Sequence, residues 1–296
     1  MNRHHEVVFN QKHFASLCAA LVAAGVLFVP GQGVAQTDIT GQNTYTMSNG
    51  GSTATVNVVN TGTLGMNSWT VLNGLNQLNQ QWFWYSINGS TPQPINNLSA
   101  ATVYNMAPSD PSLDNLGVDY DNANLEVFVQ YTLSGNGMMS GSADMAESIY
   151  VINNESSSIN LNFYQYSNFN LLNQPNNVKI SSSGGLYTGA TQTTSGAGGT
   201  GIGEVILGPY ANEAEAGFAT PTMSDVSSGT LNDSTSAGPG DVAWAFEWNK
   251  NLGTGDMLDL QKDKGLSVTL VPEPSTLVLI ALGMGALGLS LRRKLA

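Results

Sequence analysis

Apolar and polar residues alternate with a period of two along most of the chain, which is the pattern of β-strands buried on one face. In residues 242–248, Val242, Trp244, Phe246 and Trp248 share one face, and residues 125–133 alternate in the same way. Further predicted strands cover residues 44–47, 53–60, 81–87, 148–153, 159–171, 178–181, 185–192, 257–260 and 266–270. The pattern between the two chain ends therefore predicts an all-β domain.

A few segments carry no clear strand pattern. Residues 64–78 place leucines at helical spacing, but an Asn-Gly pair interrupts them. Residues 196–201 match the letters G-x-G-x-x-G of a dinucleotide-binding turn; no βαβ pattern surrounds them, so we interpret them as a flexible loop. Residues 109–124 are predicted to form an acidic loop, 211–219 a short helix or loop, and 220–240 a polar loop.

The N-terminal end is apolar without alternation. Arg3 and Lys12 precede the apolar segment 14–29, and small residues follow up to Ala35. This order is typical of a secretory signal peptide. We therefore predict a signal helix within residues 1–35, export through the Sec machinery, and cleavage by signal peptidase between Ala35 and Gln36.

The C-terminal end is a second uncharged run. Residues 275–291 hold 17 residues without a charge, and at about 1.5 Å per residue they form a helix of roughly 25 Å, the lower limit for crossing a bilayer core. Two prolines precede the run, and Arg292, Arg293 and Lys294 follow it. The positive-inside rule places these three cations in the cytoplasm, so the run is predicted to be a transmembrane helix.

The sequence Val271-Pro272-Glu273-Pro274-Ser275, followed by this apolar helix and the basic end, resembles the PEP-CTERM sorting signal of Gram-negative bacteria. The resemblance implies a temporary inner-membrane anchor that an exosortase cuts near the Pro-Glu-Pro, releasing the protein to the cell surface or extracellular matrix. These five residues are then recognition residues and not catalytic ones. The alternative is a permanent C-terminal anchor, which needs only the apolar run and the cations.

These boundaries divide the chain into a signal peptide (1–35), one ectodomain (36–271) and a sorting signal (272–296). Strands that recur at this spacing favour a single antiparallel β-sandwich, with a jelly-roll as one possible form. Residues 243–248 and 260–264 also resemble the closing hairpin of β-rich ectodomains that precede this sorting tail. That resemblance assigns no reaction to the domain.

Composition narrows the chemistry available to the ectodomain. All three histidines and the single cysteine, Cys18, lie in the signal region. Residues 36–271 therefore cannot form a Ser-His-Asp triad, a Cys-His nucleophile, a usual zinc, copper or haem ligand set, or a disulfide. We predict no cofactor and no catalytic residue.

Charge points away from nucleic acid as a partner. Residues 36–271 contain 19 Asp and Glu against four Lys, a net charge of −15. Such a surface repels phosphate backbones. Charged residues are nevertheless sparse, at 10% of the chain where about 25% is usual. The surface is predicted to consist mainly of Asn, Ser, Thr, Gln and Gly.

Two further clusters have a functional and a structural interpretation. Trp82, Trp84 and Tyr85 lie in one predicted strand and could form a stacking platform for a glycan, although aromatic side chains are more commonly buried in a sandwich core. Asp119 and Asp121 could bind calcium, but Ala123 occupies the third ligand position of an EF-hand pattern, which favours a solvated acidic loop.

Three functions are compatible with these features. The favoured one is a non-catalytic surface or matrix protein associated with exopolysaccharide. The second is a carbohydrate-binding module that uses the aromatic strand. The third is a glycoside hydrolase that uses two carboxylates. No sequence spacing singles out a pair among the available glutamates, which are Glu126, Glu147, Glu155, Glu204, Glu213, Glu215 and Glu247.

Overall fold

Antiparallel strands make up most of the computed structural model, which describes residues 36–59, 62–72, 74–137, 140–195 and 200–269. The strands are β1 (Thr37–Asp38), β2 (Thr44–Asn49), β3 (Ser52–Asn57), β4 (Gly65–Val71), β5 (Leu78–Ile87), β6 (Gln93–Pro94), β7 (Thr102–Asn105), β8 (Asn115–Asp121), β9 (Leu125–Gly135), β10 (Ser142–Asn153), β11 (Ile159–Phe169), β12 (Asn176–Ser183), β13 (Leu186–Thr194), β14 (Gly201–Gly208), β15 (Glu213–Phe218), β16 (Ser236–Gly240), β17 (Val242–Leu252) and β18 (Met257–Ser267). One α-helix, α1 (Ala219–Ser228), and two 3₁₀ helices, Ile95–Asn97 and Leu171–Asn173, complete the described elements.

The strands form two antiparallel sheets. The ten-stranded sheet has the order β1-β7-β8-β9-β10-β18-β14-β13-β12-β16. The eight-stranded sheet has the order β15-β17-β11-β5-β4-β3-β2, with β6 paired to β5. The predicted antiparallel all-β class is therefore confirmed. The jelly-roll form is not confirmed, because jelly-rolls contain about eight strands and the described residues form 18.

The apolar core lies between the sheets. From the ten-stranded sheet, β9 contributes the alternating residues Leu125 to Leu133, as predicted. From the eight-stranded sheet, β17 and β11 contribute large aromatic side chains: the rings of Trp244 and Phe169 stack with centroids 5.5 Å apart. Aromatic pairs at this separation add to the free energy gained by burying the rings.

Helix α1 covers the outer face of the eight-stranded sheet. Tyr166 Oη donates a hydrogen bond to the carbonyl of Ala219 at 3.1 Å, which ties the start of the helix to β11. Pro221 lies in the first turn, where its missing N–H is tolerated. Gly229 closes the helix in the left-handed conformation with φ of 69°. The prediction of a loop over 220–240 was wrong, because this segment contains most of α1 and all of β16. Its many Ser and Thr residues are typical of loops, and neither element was predicted.

Three other expectations also need correction. Residues 115–121 form strand β8 instead of an acidic loop, because Leu116, Val118 and Tyr120 alternate into the core between the acidic residues. Residues 213–218 form strand β15. The two short strands predicted at 257–260 and 266–270 are one strand, β18, which continues across Lys262 and Lys264.

Within the described ranges, no helix is long and apolar enough to cross a bilayer. The predicted signal helix and the predicted transmembrane helix at 275–291 both lie outside those ranges.

Candidate functional site

The predicted sorting signal begins directly after the folded domain. Strand β18 ends at Ser267, and the described residues end at Thr269. Residues Val271 to Ser275 and the cations Arg292, Arg293 and Lys294 lie outside the described residues, as does Ala35. Gln36, on the other side of the predicted signal-peptidase site, is the first described residue.

The aromatic side chains proposed as a glycan platform are packed inside the protein. Trp82 is fully buried, donates its Nε1–H to Asn96 Oδ1 at 3.3 Å, and meets the ring of Tyr120 edge-on. Trp84 is also buried, edge-on against Tyr166, and Tyr85 is half-buried. This burial corrects the platform interpretation, because neither tryptophan presents a ring face to solvent.

The two aspartates considered for calcium lie on β8. Asp119 is buried, and its burial, together with the nearby charges of Glu126 and Asp121, raises its pKa to about 8. A carboxyl group that keeps its proton at neutral pH is a poor calcium ligand. In the part of the chain that the structure describes, no group of three or more Asp, Glu, His or Cys side chains is arranged to hold a metal ion. Calcium binding stays a prediction.

Four charged side chains meet in the core, and we call them the buried ion cluster: Glu147, Glu204, Lys262 and Lys264. They lie on the adjacent strands β10, β18 and β14 of the ten-stranded sheet. Glu147 is opposite Lys262 in the β10–β18 register, and Glu204 is opposite Lys264 in the β14–β18 register. Because side chains alternate along β18, both lysines share the inward face with buried leucines of the same strand.

Each lysine of the cluster lies between the two carboxylates. Lys262 Nζ is 2.8 Å from Glu147 Oε2 and 3.4 Å from Glu204 Oε1. Lys264 Nζ is 2.7 Å and 3.3 Å from the same two atoms. All four side chains are shielded from solvent, and their formal charges, two positive and two negative, sum to zero. Removing one partner would leave a buried charge without compensation.

The eight-stranded sheet completes the hydrogen bonding of the cluster. Gln165 Nε2 on β11 donates to both carboxylate oxygens of Glu204 at 2.8 Å, and Trp244 Nε1 on β17 donates to Glu204 Oε2 at 2.7 Å. Gln165 Oε1 accepts a hydrogen bond from Lys262 Nζ. The Phe83 ring lies 4.8 Å from the same ammonium, within cation–π range. The cluster therefore bridges the two sheets.

The two lysines differ in electrostatic environment. Burial lowers the pKa of Lys262; the Glu147 and Glu204 charges oppose this effect, and the nearby Lys264 charge adds to it. For Lys264, burial also acts to lower the pKa, but Glu147 and Glu204 outweigh it, so the pKa is raised. The pKa of Glu147 falls to about 2 because the two lysines outweigh the effect of its burial. Of the two lysines, Lys262 is therefore the one that gives up its proton more readily.

A second carboxyl pair lies on the outer face of the eight-stranded sheet. Glu213 on β15 is directly opposite Glu247 on β17. Asn162 Nδ2 donates to Glu247 Oε1 at 2.8 Å. Burial and the Glu213 charge raise the pKa of Glu247 to about 7. Sequence spacing did not reveal this pair, because the two residues belong to different strands. Glu215 instead accepts a hydrogen bond from Thr222 Oγ1 of α1 at 2.8 Å.

A polar groove of about 480 Å³ lies along β12, β13 and β16. Its lining includes Asn177, Lys179, Thr191, Thr193 and Ser236. These side chains can hydrogen-bond a polar ligand, but nothing in the groove selects one.

The C-terminal residues 270–294 match the PEP-CTERM protein-sorting motif. The chain thus carries this sorting motif, and the resemblance drawn from its residues is confirmed. No curated protein is similar to the chain in sequence.

The chain is similar in structure to several solved proteins. A bacterial glucoamylase complexed with acarbose has a TM-score of 0.52 and 10% identity, over 87% of this chain and 36% of that chain. A putative aldose 1-epimerase from Escherichia coli K12 has a TM-score of 0.48 and 9% identity, over 80% and 100% of the two chains. A galactose mutarotase related enzyme from Lactobacillus acidophilus has a TM-score of 0.46 and 10% identity, over 76% and 98%.

At these identities the likeness concerns the fold alone, since one fold serves many unrelated functions. The chain spans about a third of the length of the glucoamylase that it resembles.

Proposed function

We propose that this chain, which carries a PEP-CTERM protein-sorting motif, is an exported and non-catalytic surface or matrix protein of a Gram-negative bacterium. Its C-terminal helix anchors the precursor in the inner membrane until an exosortase cuts near Pro272-Glu273-Pro274. The observation that carries the proposal is the position of the motif: it starts at residue 270, three residues after β18 ends. A cut at the Pro-Glu-Pro leaves every described strand in the released part.

Two features support a role without catalysis. Glu147 and Glu204, which are candidate acids by residue type, are enclosed in the ion cluster and out of reach of a substrate. The exported region contains no histidine or cysteine to serve as a base or nucleophile. Association with exopolysaccharide is what the resemblance to PEP-CTERM proteins implies, and a polar surface with few charged residues is compatible with it. The carbohydrate-binding alternative can no longer rest on Trp82 and Trp84, which are buried.

Replacing both signal prolines tests the sorting step. In the native host, the Pro272→Ala/Pro274→Ala double variant is expected to stay in the membrane fraction with its tail attached, because the recognition sequence is lost. The wild-type domain is expected outside the cell, and in an exosortase-deficient strain it should behave like the variant. Fractionation and immunoblotting against the β domain measure this.

The matched control is the Pro108→Ala/Pro111→Ala double variant, which changes two prolines in an exposed turn. It should be released like the wild type. Normal release of the Pro272→Ala/Pro274→Ala variant contradicts the sorting step. Polysaccharide turnover by the purified protein that is lost in Glu247→Gln contradicts the non-catalytic role.

A further inference from the structure

The buried ion cluster brings together the three groups needed for an amide exchange. Lys262 Nζ supplies an amine, Gln165 supplies a carboxamide, and Glu204 contacts both of them. Lys262 and Gln165 come from opposite sheets and are separated by 97 residues in the chain. All three side chains are buried, so water does not compete for the carboxamide.

We propose that Lys262 Nζ and Gln165 Cδ join in an isopeptide bond, formed by the folded protein itself with the loss of ammonia. The bond crosses the core and links β18 of the ten-stranded sheet to β11 of the eight-stranded sheet. Lys262 is assigned as the nucleophile because it is the lysine in contact with the carboxamide oxygen. Lys264 keeps its proton and compensates the charge of Glu147.

The environment favours the reactive form of the amine. An ammonium group is not a nucleophile, and burial disfavours it relative to the neutral amine, which outweighs the opposing effect of the Glu147 and Glu204 charges. Trp244 and Gln165 donate to Glu204 from the opposite sheet. The burial that lowers the pKa of Lys262 therefore acts in the direction that the reaction needs.

The reaction balances within the cluster. Lys262 first gives one proton to Glu204 and becomes a neutral amine. Nζ then attacks Gln165 Cδ, and Glu204 passes its proton to the departing Nε2 while taking a proton from Nζ. The Cδ–Nε2 bond breaks, the Cδ–Nζ bond forms, and ammonia leaves. Glu204 ends protonated, so Lys264 and Glu147 remain as one neutral ion pair.

Such a bond would serve an exported domain that has no disulfide. The only cysteine of the chain lies in the signal region, so the ectodomain has no thiols to cross-link. A covalent link that closes a long loop restricts the unfolded chain and favours the folded state. The proposal does not depend on the sorting step, because Lys262, Gln165 and Glu204 all lie outside the sorting signal.

Mass spectrometry of the intact protein, purified from its host with the termini that the host leaves on it, tests the bond. First, the N- and C-termini of the purified wild-type protein are identified, and the mass of the sequence between them is calculated. The measured mass is expected to be lower than this value by the mass of one ammonia. In a tryptic digest of the denatured protein, cleavage should fail after Lys262 and proceed after Lys264, which is the internal control. A wild-type mass with no loss, together with cleavage after Lys262, overturns the proposal even if no variant folds.

A Gln165→Glu variant separates covalent chemistry from packing. Condensation of Lys262 with a glutamate releases water and gives the same product, so this variant and the wild type are expected to have identical masses. The control Gln130→Glu, at a half-buried position on β9, should keep the mass difference between an acid and an amide. If Gln165→Glu keeps that difference as well, the carboxyl group has not reacted, and the proposal is contradicted.

Discussion

Glu247 shows how a single residue can make the stability of this domain depend on pH. Its carboxyl group is buried beside Glu213, and its pKa rises from 4.5 to about 7. Between these values the folded protein binds a proton that the unfolded chain has lost. The free energy of unfolding therefore falls as pH rises from about 4.5 to 7 and then levels off.

Replacing this residue should weaken the pH dependence. In Glu247→Gln the free energy of unfolding is expected to fall less between pH 4 and pH 8, because the buried group no longer ionises. Asn162 can still donate to the Oε1 of glutamine. Asp119, with a pKa of about 8, produces a decline of the same sign that should remain in the variant.

Urea denaturation of wild type and variant across this pH range measures the effect. Glu155→Gln, at a half-exposed loop position, is the control and should follow the wild type. Parallel pH profiles for Glu247→Gln and wild type would contradict the assigned pKa.

Among the elements, β18 is a strand whose full length was not predicted from the sequence. Its leucines indicated a strand at each end, but Lys262 and Lys264 at inward positions broke the apolar pattern. Those lysines are tolerated because Glu147 and Glu204 lie on the neighbouring strands. Strand order, which one sequence does not encode locally, decides this pairing.

Strands with regular apolar alternation were predicted correctly, as in β9 and β17. Strand β8 was missed because its acidic residues masked Leu116, Val118 and Tyr120. Helix α1 was missed because its stability comes from packing on β11 and β17 more than from the helix propensity of its Ser and Thr residues. The Glu213–Glu247 pair was missed because it depends on the register of two strands.

The contact between the turn after β2 and the end of β9 offers a test of how the two sheets meet. Gly135 packs so closely that a Cβ atom there would lie 2.1 Å from the carbonyl oxygen of Asn49. The backbone of Asn49 cannot move away from an added Cβ atom as easily as the end of a flexible side chain could. Gly135→Ala is therefore expected to destabilise the domain by about 1–3 kcal/mol.

Gly203→Ala on β14 is the matched control, since a Cβ atom there meets no heavy atom within 4 Å. Its effect should stay within about 0.5 kcal/mol. Chemical denaturation midpoints at an unchanged m-value make the comparison. Equal midpoints for the two variants would show that the sheets do not approach each other as described.

For the whole molecule, the structure shows where the few basic residues of the ectodomain lie. Two of the four lysines in the ectodomain, Lys262 and Lys264, are buried in the core. The other two are the exposed Lys179 and the half-buried Lys250. The buried ion cluster has a formal charge of zero, so the rest of the ectodomain keeps the net charge of −15 and has only two lysines left to contact a phosphate backbone. The sorting motif was readable from sequence because such signals are linear, whereas the ion cluster requires strands that are distant in the chain.

The most direct test of the sorting proposal is mass spectrometry of the C-terminus of the protein isolated from the surface of its native host. The account predicts a terminus within residues 271–275, with every strand up to β18 retained. A surface protein that still ends at Ala296 would contradict it and would identify the tail as a permanent anchor.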